Sequence, residues 1–422
     1  MIVYNLFPPL AGPFRAWLPH MERAAAMGFD WLFVNPIQLP GRSGSIYSVA
    51  DHFRLNPLLV DPTSPGSPED QARAATDDAR RLGLRAMVDL VINHCAVDSD
   101  LVGRHPEWFA HEPDGSITHP ACVNGNGRVV WEDLAQFDHR HSPDAAGLAR
   151  YCTEVAEYLL SLGFDGFRCD AAYQMPQSVW CRLIGEVKAK RPEVLFVAET
   201  LGCSPEQTRS TAAAGFDWIF NSSKWWDFQS PWLMEQYQLM RDIAPSIGFP
   251  ESHDTHRLAR EVGGNVEALK QRYLFSALFS AGCMMPIGYE FGFHRDMHVV
   301  HTRPTDWETT SVDLSGPIRA ANTLKRDHVV FAEECPTKVL SSSGDAVLVL
   351  WKASATMGQE ALVFLNTDPW NHQPVHVDDL RAMLSTSRPL VDASPDGRMD
   401  YVPVSPFDYI LRPGQGVVLV TD

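Results

Sequence analysis

The sequence predicts an α/β protein: a (β/α)₈ barrel of the TIM type, with a short lid after the third strand and a C-terminal antiparallel β domain. Short apolar runs bounded by Gly, Pro or charge alternate with longer helical patterns, as is typical of strands buried on both faces of a parallel sheet. Eight such strand–helix units in succession indicate a closed barrel. Beyond about residue 335, short strands separated by turn residues predict the β domain.

The individual elements follow from the local pattern. The predicted barrel strands are 2–6, 31–35, 84–91, 163–169, 194–198, 216–220, 246–250 and 283–288. The clearest helical patterns between them cover 17–27, 68–82, 144–162, 177–190 and 265–281. The short strands that follow the barrel are 339–340, 346–351, 361–366, 373–377 and 416–420.

The domain organisation follows from these elements. We expect a catalytic barrel over residues 1–334 and a C-terminal β-sandwich over residues 335–422. Between the third strand and the helix before the fourth, residues of about 95–143 contain Pro, Gly, His and Trp but little periodicity. A connection of this length is usually functional. We therefore predict a lid insertion there, over the C-terminal face of the barrel.

Composition and charge exclude several classes of partner. The net charge is −17 with no Lys- or Arg-rich run, which argues against nucleic acid and against anionic membranes. No apolar stretch approaches the roughly 20 residues that span a bilayer. Residues 1–7 resemble a first strand rather than a signal peptide. Eight scattered Cys without CxxC spacing predict reduced thiols and a cytoplasmic location, the alternative being one or two disulfides in an exported protein.

The segment that ends the fourth predicted strand is the most informative. Residues 163–170 read GFDGFRCD, so an apolar run ends in Arg168 and Asp170, two positions apart on the same side of the strand. A guanidinium beside a carboxylate keeps it ionised and in position, as the nucleophile of a retaining glycosidase must be. On its own, such a pair also occurs as a structural ion pair that links the end of a strand to a neighbouring element.

Three further segments add polar side chains at the ends of predicted strands, and in a barrel those ends converge on one site. Residues 89–94 (DLVINH) end strand three, residues 196–200 (FVAET) end strand five, and residues 249–254 (FPESHD) end strand seven. The four segments together supply these candidates: Asp89, Asn93, His94, Arg168, Asp170, Glu199, His253 and Asp254.

Cleavage of an α-glycosidic bond with retention needs an ionised and a protonated carboxyl group, about 5–5.5 Å apart. We expect Asp170 to be the ionised nucleophile, because Arg168 lowers its pKa. We expect Glu199 to be the acid, because desolvation after an apolar strand raises its pKa. Asp254 is suited to grip two sugar hydroxyls. The two histidines of these segments can donate to sugar oxygens that gain charge in the transition state.

In this order the four segments resemble the signature regions of the α-amylase superfamily of retaining glycoside hydrolases and transglycosylases. The resemblance covers about residues 1–330, and it implies a covalent glycosyl-aspartate intermediate. It implies Asp170 as nucleophile, Glu199 as acid/base and Asp254 as transition-state stabiliser. It further implies substrate contacts from Arg168, His94 and His253, and structural support from Asp89 and Asn93.

Two loops extend the likeness. Residues 46–51 (IYSVAD) resemble the family's loop after strand two, which implies Tyr47 as a residue that stacks on the sugar and Asp51 as a support of the site. Residues 105–109 (HPEWF) in the lid and 303–307 (RPTDW) after strand eight resemble the maltosyltransferase branch, which transfers maltose from maltose 1-phosphate to an α-1,4-glucan.

Two features depart from that branch. Ala171 follows the proposed nucleophile where the branch pattern has an Asn, and residues 252–254 (SHD) have the common amylase form. Use of a phosphate donor is therefore an alternative to cleavage or transfer on ordinary α-glucans. A second alternative is a barrel that binds carbohydrate without turnover, although such relatives typically lose one or more of the carboxylates.

Secondary features leave further alternatives open. Aromatic residues after strand six could be platforms for sugar or a local hydrophobic patch: Trp225, Trp226, Phe228 and Trp232. A polar group after strand eight could bind phosphate or could be solvated: His294, Arg295, His298, His301 and Arg303. The lid lacks a dense Asp/Asn cluster, so we predict no metal and no cofactor. Oligomeric state is not predicted.

Overall fold

In the computed structural model, which describes residues 1–124 and 127–422, eight parallel strands close into a barrel. Each strand pairs with the next in sequence, and the eighth pairs with the first. The predicted (β/α)₈ barrel is therefore confirmed. The strands are β1 (Ile2–Leu6), β2 (Trp31–Val34), β3 (Arg85–Leu90), β4 (Gly166–Cys169), β5 (Leu195–Ala198), β6 (Trp218–Phe220), β7 (Ser246–Gly248) and β8 (Gly282–Pro286).

Helices surround the barrel. They are α1 (Pro8–Ala11), α2 (Leu18–Ala26), α3 (Pro68–Arg81), α4 (Asp100–Arg104), α5 (Ala145–Ser161), α6 (Gln177–Lys190), α7 (Pro205–Ala212), α8 (Trp232–Met240), α9 (Leu258–Glu261), α10 (Val266–Phe279) and α11 (Ser315–Asp327). The interior of the barrel is filled by inward-facing apolar side chains, as expected for a packed core: Val3, Trp31, Phe33, Met87, Val197, Phe220, Ile247, Phe249 and Met284.

The start of β4 differs from the sequence prediction. The apolar run 163–169 predicted a strand from residue 163, but pairing begins at Gly166. Gly163 has φ +92°, and a Cβ there would lie 2.4 Å from Oγ1 of Thr76. Only glycine fits this position, so the chain turns there after α5 and enters the sheet three residues later.

The lid is built from short elements. Strands His94–Ala96 and Leu134–Gln136 pair at its base, and Ala121–Asn124 pairs with Gly127–Val130. The side chain of His139 reaches back to the Ile92 carbonyl, at 2.7 Å from Nε2. The base of the lid is thus fastened to the end of β3, beside the candidate site. Residues 125 and 126 of the predicted lid segment lie outside the described residues.

An antiparallel β domain follows the barrel, as the sequence predicted, and it includes strands 390–392 and 407–411 that the pattern missed. One sheet has the order Thr337–Val339, Val347–Ala353, Glu360–Asn366, Gly416–Thr421, Leu390–Asp392, and Gln373–Val377 pairs separately with Phe407–Leu411. Their facing side chains form one apolar cluster, which includes Leu362, Phe364, Phe407 and Leu419. The division at residues 334 and 335 stays a prediction.

Two buried lysines cover the C-terminal end of α10. Nζ of Lys352, from the β domain, donates to the carbonyls of Leu278 (3.0 Å) and Phe279. Nζ of Lys325, from α11, donates to the carbonyl of Ala277 at 2.9 Å. The last carbonyls of a helix lack intrahelical partners and carry partial negative charge, so an ammonium group stabilises them. Lys352 therefore joins the β domain to the barrel.

Replacing Lys352 with Met is expected to lower the free energy of unfolding by about 1–3 kcal/mol, because buried carbonyls of α10 lose their donor. Urea unfolding followed by circular dichroism measures the change. The exposed Lys338, on the neighbouring strand Thr337–Val339, provides the control, since its replacement with Met should cost less than about 1 kcal/mol. Equal stability of K352M and wild type would contradict this account.

Candidate active site

The candidate site is organised around the side chain of Arg168 on β4, which is only 2% exposed. Its Nη1 lies 2.8 Å from Oδ1 of Asp89 and 2.8 Å from Oδ1 of Asp170. Its Nη2 lies 3.2 Å from Oε2 of Glu199. Arg168 is paired in register with Asp89 of β3, and Glu199 directly follows β5. Three segments far apart in sequence thus supply three carboxylates to one guanidinium.

Tyr47 connects this cluster to the neighbouring loops. Its hydroxyl donates to Oδ2 of Asp89 at 2.6 Å and accepts from Nδ2 of Asn35 at 2.9 Å. The same oxygen lies 2.7 Å from Nε2 of His253, and the two rings are stacked at 5.6 Å. Because the Tyr47 proton points at Asp89, the Nε2 atom of His253 must carry the proton of this last hydrogen bond.

Asp254 lies at the open side of the cluster. Its carboxylate is 47% exposed, and Oδ2 lies 3.0 Å from Nε2 of His253. Burial, and then the charge of Arg168, lower the pKa of His253 to about 3. The imidazole is therefore neutral, so its contact with Asp254 is not an ion pair. Asp170, Glu199 and Asp254 converge on one region, as the barrel pattern predicted.

His94 lies at the end of the lid's first strand, close to the same region. Its Nε2 lies 3.2 Å from the Tyr47 carbonyl, while its buried Nδ1 has no partner among the described residues. Burial lowers the pKa of His94 to about 4. A carbonyl only accepts, so Nε2 holds the proton and Nδ1 is left as an acceptor. The expectation that His94 donates to a sugar oxygen stays a prediction.

Two predicted residues make their side-chain hydrogen bonds outside the Arg168 cluster. Asn93 binds Oε1 of Gln174 through Nδ2 at 3.1 Å, and its carbonyl accepts from the Phe137 amide of the lid. Asp51, on the strand Val49–Leu55, accepts from the amide of Phe53 at 2.9 Å. The structure does not bring Asp51 into the Arg168 cluster. The roles assigned to both residues stay predictions.

Burial dominates the electrostatics of the two central carboxylates. It raises the pKa of Glu199 to about 7, against the opposing effect of Arg168 and with a further increase from Asp170. It also raises the pKa of Asp170, although Arg168 lowers it. The direction for Glu199 is the one predicted. For Asp170 the prediction of a lowered pKa is wrong, because burial outweighs the guanidinium.

The residue after Asp170 helps to hold Glu199. Ala171 has φ 45° and ψ 37°, in the left-handed region, and its amide donates to Oε2 of Glu199 at 2.7 Å. The left-handed turn directs this amide toward the carboxylate. An alanine adopts this conformation at a cost of about 1–2 kcal/mol, whereas asparagine and glycine adopt it more readily.

The sequence analysis missed a buried ion pair that brackets the His253–Asp254 loop. Nη1 of Arg257 lies 2.8 Å from Oε1 of Glu251, and each side chain is 1% exposed. Arg257 also donates to the carbonyl of Ile287 at 2.9 Å, which anchors the loop to the end of β8. The sequence signal that could have revealed this pair is the opposite charge of residues 251 and 257, which lie six positions apart on either side of His253 and Asp254. Asn35, the donor to Tyr47, gave no comparable signal.

The sequence is similar to a known family profile and to several known proteins. A sequence profile of the family described as glycogen debranching enzyme, glucanotransferase domain, matches residues 2–112. The α-1,4-glucan:maltose-1-phosphate maltosyltransferase of Burkholderia pseudomallei (strain K96243) is 28% identical over 373 residues, covering 85% of this chain and 32% of the relative. The enzyme of the same name from Mycolicibacterium smegmatis is 25% identical over 415 residues, covering 87% and 57%. The chain thus spans about a third to somewhat over half of these relatives.

Solved structures share the whole fold. An α-amylase from Lactobacillus plantarum superposes with TM-score 0.77 at 21% identity, covering 100% of this chain and 98% of that chain. An α-amylase from Geobacillus thermoleovorans, complexed with acarbose, gives TM-score 0.79 at 15% identity with coverage of 100% and 98%. The predicted resemblance to the α-amylase superfamily is thus confirmed as a likeness in fold to these α-amylases. The sequence likeness to maltose-1-phosphate maltosyltransferases is also confirmed.

The secondary features that the sequence analysis left open divide into buried and exposed groups. Trp226 and Phe228 are buried, so they belong to the packed core, whereas Trp225 is 48% exposed beside Asp254. Arg303 donates to the carbonyls of Val300 and Thr302, at 2.8 and 2.7 Å. Arg303, one of the cations considered for phosphate binding, therefore uses its guanidinium to bind backbone carbonyls of its own loop after β8.

Two absences hold for residues 1–124 and 127–422. No group of three or more His, Cys, Asp or Glu side chains is arranged to hold a metal ion there. Within the same part of the chain, no helix combines the length and apolarity that a membrane crossing requires.

Replacing Ala171 with Gly is expected to raise the free energy of unfolding by up to about 1 kcal/mol, because glycine avoids the strain of the left-handed conformation. Ala172→Gly is the control, since Ala172 is fully buried in the adjacent 3₁₀ turn and has no such strain. That change should lower stability by about 1 kcal/mol. Urea unfolding of both variants tests the account, which fails if A171G is the less stable of the two.

Replacing Glu199 with Gln is expected to change how stability depends on pH. Folding raises the pKa of Glu199 from 4.5 to about 7, so the folded protein holds this proton more tightly than the unfolded chain. The contribution of Glu199 is therefore complete below pH 4.5 and is lost as pH rises through 7.

Glutamine does not titrate, so the unfolding free energy of E199Q minus that of wild type should increase between pH 4.5 and 7. Glu186→Gln is the control, because hydrogen bonds from Arg182 and Thr153 lower the pKa of Glu186 from 4.5. Its difference from wild type should not increase over that interval. A flat difference for E199Q would show that Glu199 does not retain its proton.

Proposed function

We propose that this enzyme cleaves or transfers α-glucosidic bonds of α-glucans or oligosaccharides by double displacement, through a covalent glycosyl-aspartate intermediate. The observation that carries the proposal is the pair Asp170 and Glu199, bound to the two terminal nitrogens of Arg168 at 2.8 and 3.2 Å. One side chain fixes both groups, so both can act on a single sugar. Retaining glycosidases require two such carboxyl groups.

The two carboxyl groups suit different roles. Glu199, with a pKa of about 7, retains a proton near neutral pH and can give it to the leaving oxygen. Asp170 is in contact with Arg168, whose charge favours the carboxylate as it attacks the anomeric carbon. In the second half of the reaction Glu199, now ionised, accepts a proton from the incoming hydroxyl.

The surrounding side chains support binding and distortion of the sugar. Asp254, whose Oδ2 lies 3.0 Å from Nε2 of His253, is suited to accept hydrogen bonds from two adjacent hydroxyls. His94, Arg168 and Tyr47 complete the proposed substrate contacts, and Asp89 and Asn93 the structural support. Burial raises the pKa of Asp89 to about 8, although the charge of Arg168 lowers it.

The acceptor in the second step is water or a sugar hydroxyl, and exclusion of water by the lid favours transfer. The relatives named maltosyltransferases support transfer from maltose 1-phosphate as a second candidate. The proposed location is the cytoplasm, in keeping with cysteines that are free in the structure. The third candidate is a barrel that binds carbohydrate without turnover.

A product screen separates these candidates. Enzyme is incubated with maltose, maltoheptaose, sucrose, trehalose and maltose 1-phosphate, the last with and without glycogen, and the products are resolved. New oligosaccharides or glucose from maltoheptaose indicate cleavage or transfer on glucans. Phosphate release that requires glycogen indicates the maltosyltransferase. No turnover of any of these compounds would favour the binding barrel.

Replacing Asp170 with Ala is expected to lower turnover of the best substrate by roughly 10³-fold or more, because no other group can form the glycosyl ester. Asp77→Ala, an exposed carboxylate on α3, is the control and should retain full activity. Mass spectrometry of E199Q quenched during turnover of α-glucosyl fluoride, whose leaving group needs no acid, should detect one glycosyl unit attached to Asp170. Turnover by D170A at the wild-type rate would refute the covalent mechanism.

A further inference from the structure

An open cleft adjoins the carboxylate cluster on the side of Asp254. Its volume is about 370 Å³, within the roughly 300–1,000 Å³ usual for ligand sites. It shares His253 and Asp254 with the candidate active site, and it is formed by the loops that follow β6, β7 and β8. Its lining residues are Lys224, Trp225, His253, Asp254, Thr255, His256, Glu261, Asp296 and Met297.

Trp225 gives this cleft a fixed aromatic wall. It ends the 3₁₀ turn Ser223–Trp225, and its ring packs edge-to-face on Phe249 at 6.1 Å. The next residue, Trp226, is buried, and its Nε1 donates to the Ser230 carbonyl at 2.7 Å. These contacts hold the turn, yet Trp225 remains 48% exposed. An indole held in this way offers apolar surface at little cost in conformational entropy.

Polar groups surround the indole. Asp254 is 47% exposed and Glu261 is 38% exposed. The cation Lys224 is paired with Glu261 at 2.9 Å, and Asp296 accepts from Nδ1 of His256 at 2.7 Å. Three carboxylates and one lysine already in an ion pair favour a neutral ligand rich in hydroxyl donors over an anionic one. An aromatic face together with acceptors of hydrogen bonds matches the apolar C–H face and the hydroxyl rim of a pyranose.

We propose that this cleft is a glucosyl-binding subsite in which Trp225 stacks on the sugar unit next to the one held by Asp170 and Glu199. The inference rests on the proposed function, because it assumes an α-glucan in the active site. The proposed subsite makes the preference for substrate chain length depend on Trp225, which lies on the Asp254 side of the active site and takes no part in bond cleavage. The subsite takes a neutral sugar rather than a phosphorylated one.

The test compares W225A and W225F with wild type on a short and a long substrate, α-glucosyl fluoride and maltoheptaose. Loss of the stacking surface should lower kcat/KM for maltoheptaose by about tenfold, mainly through KM. The rate on the fluoride, which has no neighbouring unit, should change by less than about twofold. W225F should recover most of the loss, because it keeps an aromatic face. Trp370→Ala is the matched control, since Trp370 is 66% exposed on the β domain.

The outcomes separate this subsite from the proposed function. If wild type is active and W225A matches W370A on maltoheptaose, the subsite is refuted while the function stands. If wild type shows no turnover, binding of maltoheptaose is measured by calorimetry. Binding that W225A weakens by about tenfold and W225F restores supports the subsite and rejects the catalytic function. Absence of binding, or binding insensitive to Trp225, refutes the subsite.

Discussion

The candidate site depends on one constraint: a guanidinium that cannot lose its charge lies buried at the end of β4. Arg168 is in contact with Asp89, Asp170 and Glu199 at 2.8–3.2 Å. Removing one partner from a buried ion pair commonly destabilises a protein by about 3–5 kcal/mol. Arg168 therefore fixes the positions of the carboxylates and also makes their burial possible.

The same burial determines where the protons lie. With more carboxylates than cations in the cluster, deep burial raises the pKa of Asp89 to about 8 and that of Glu199 to about 7. It lowers the pKa of His253 to about 3, which keeps that ring neutral. The cluster thus combines a protonated acid with neutral hydrogen-bonding rings. This combination suits chemistry in which charge develops on a bound sugar.

The rest of the fold keeps these groups in place. The Glu251–Arg257 pair ties the loop of His253 and Asp254 to the end of β8, and each side chain is 1% exposed. Elsewhere, Lys352 joins the β domain to the last turn of α10. A loop anchored by buried charges loses little conformational freedom when a substrate binds, which favours preorganisation.

The sequence by itself determined the barrel, the order of its strands and the four segments that meet at its C-terminal face. Those properties follow from apolar runs, turn residues and strand order, which are local signals. Only the tertiary structure decided the direction of the pKa shift of Asp170, the hydrogen-bond partners of His94 and Asp51, and the exposure of Trp225 beside the buried Trp226. These properties depend on desolvation and on partners distant in sequence, such as Asn35 and Tyr47. No short pattern contains that information.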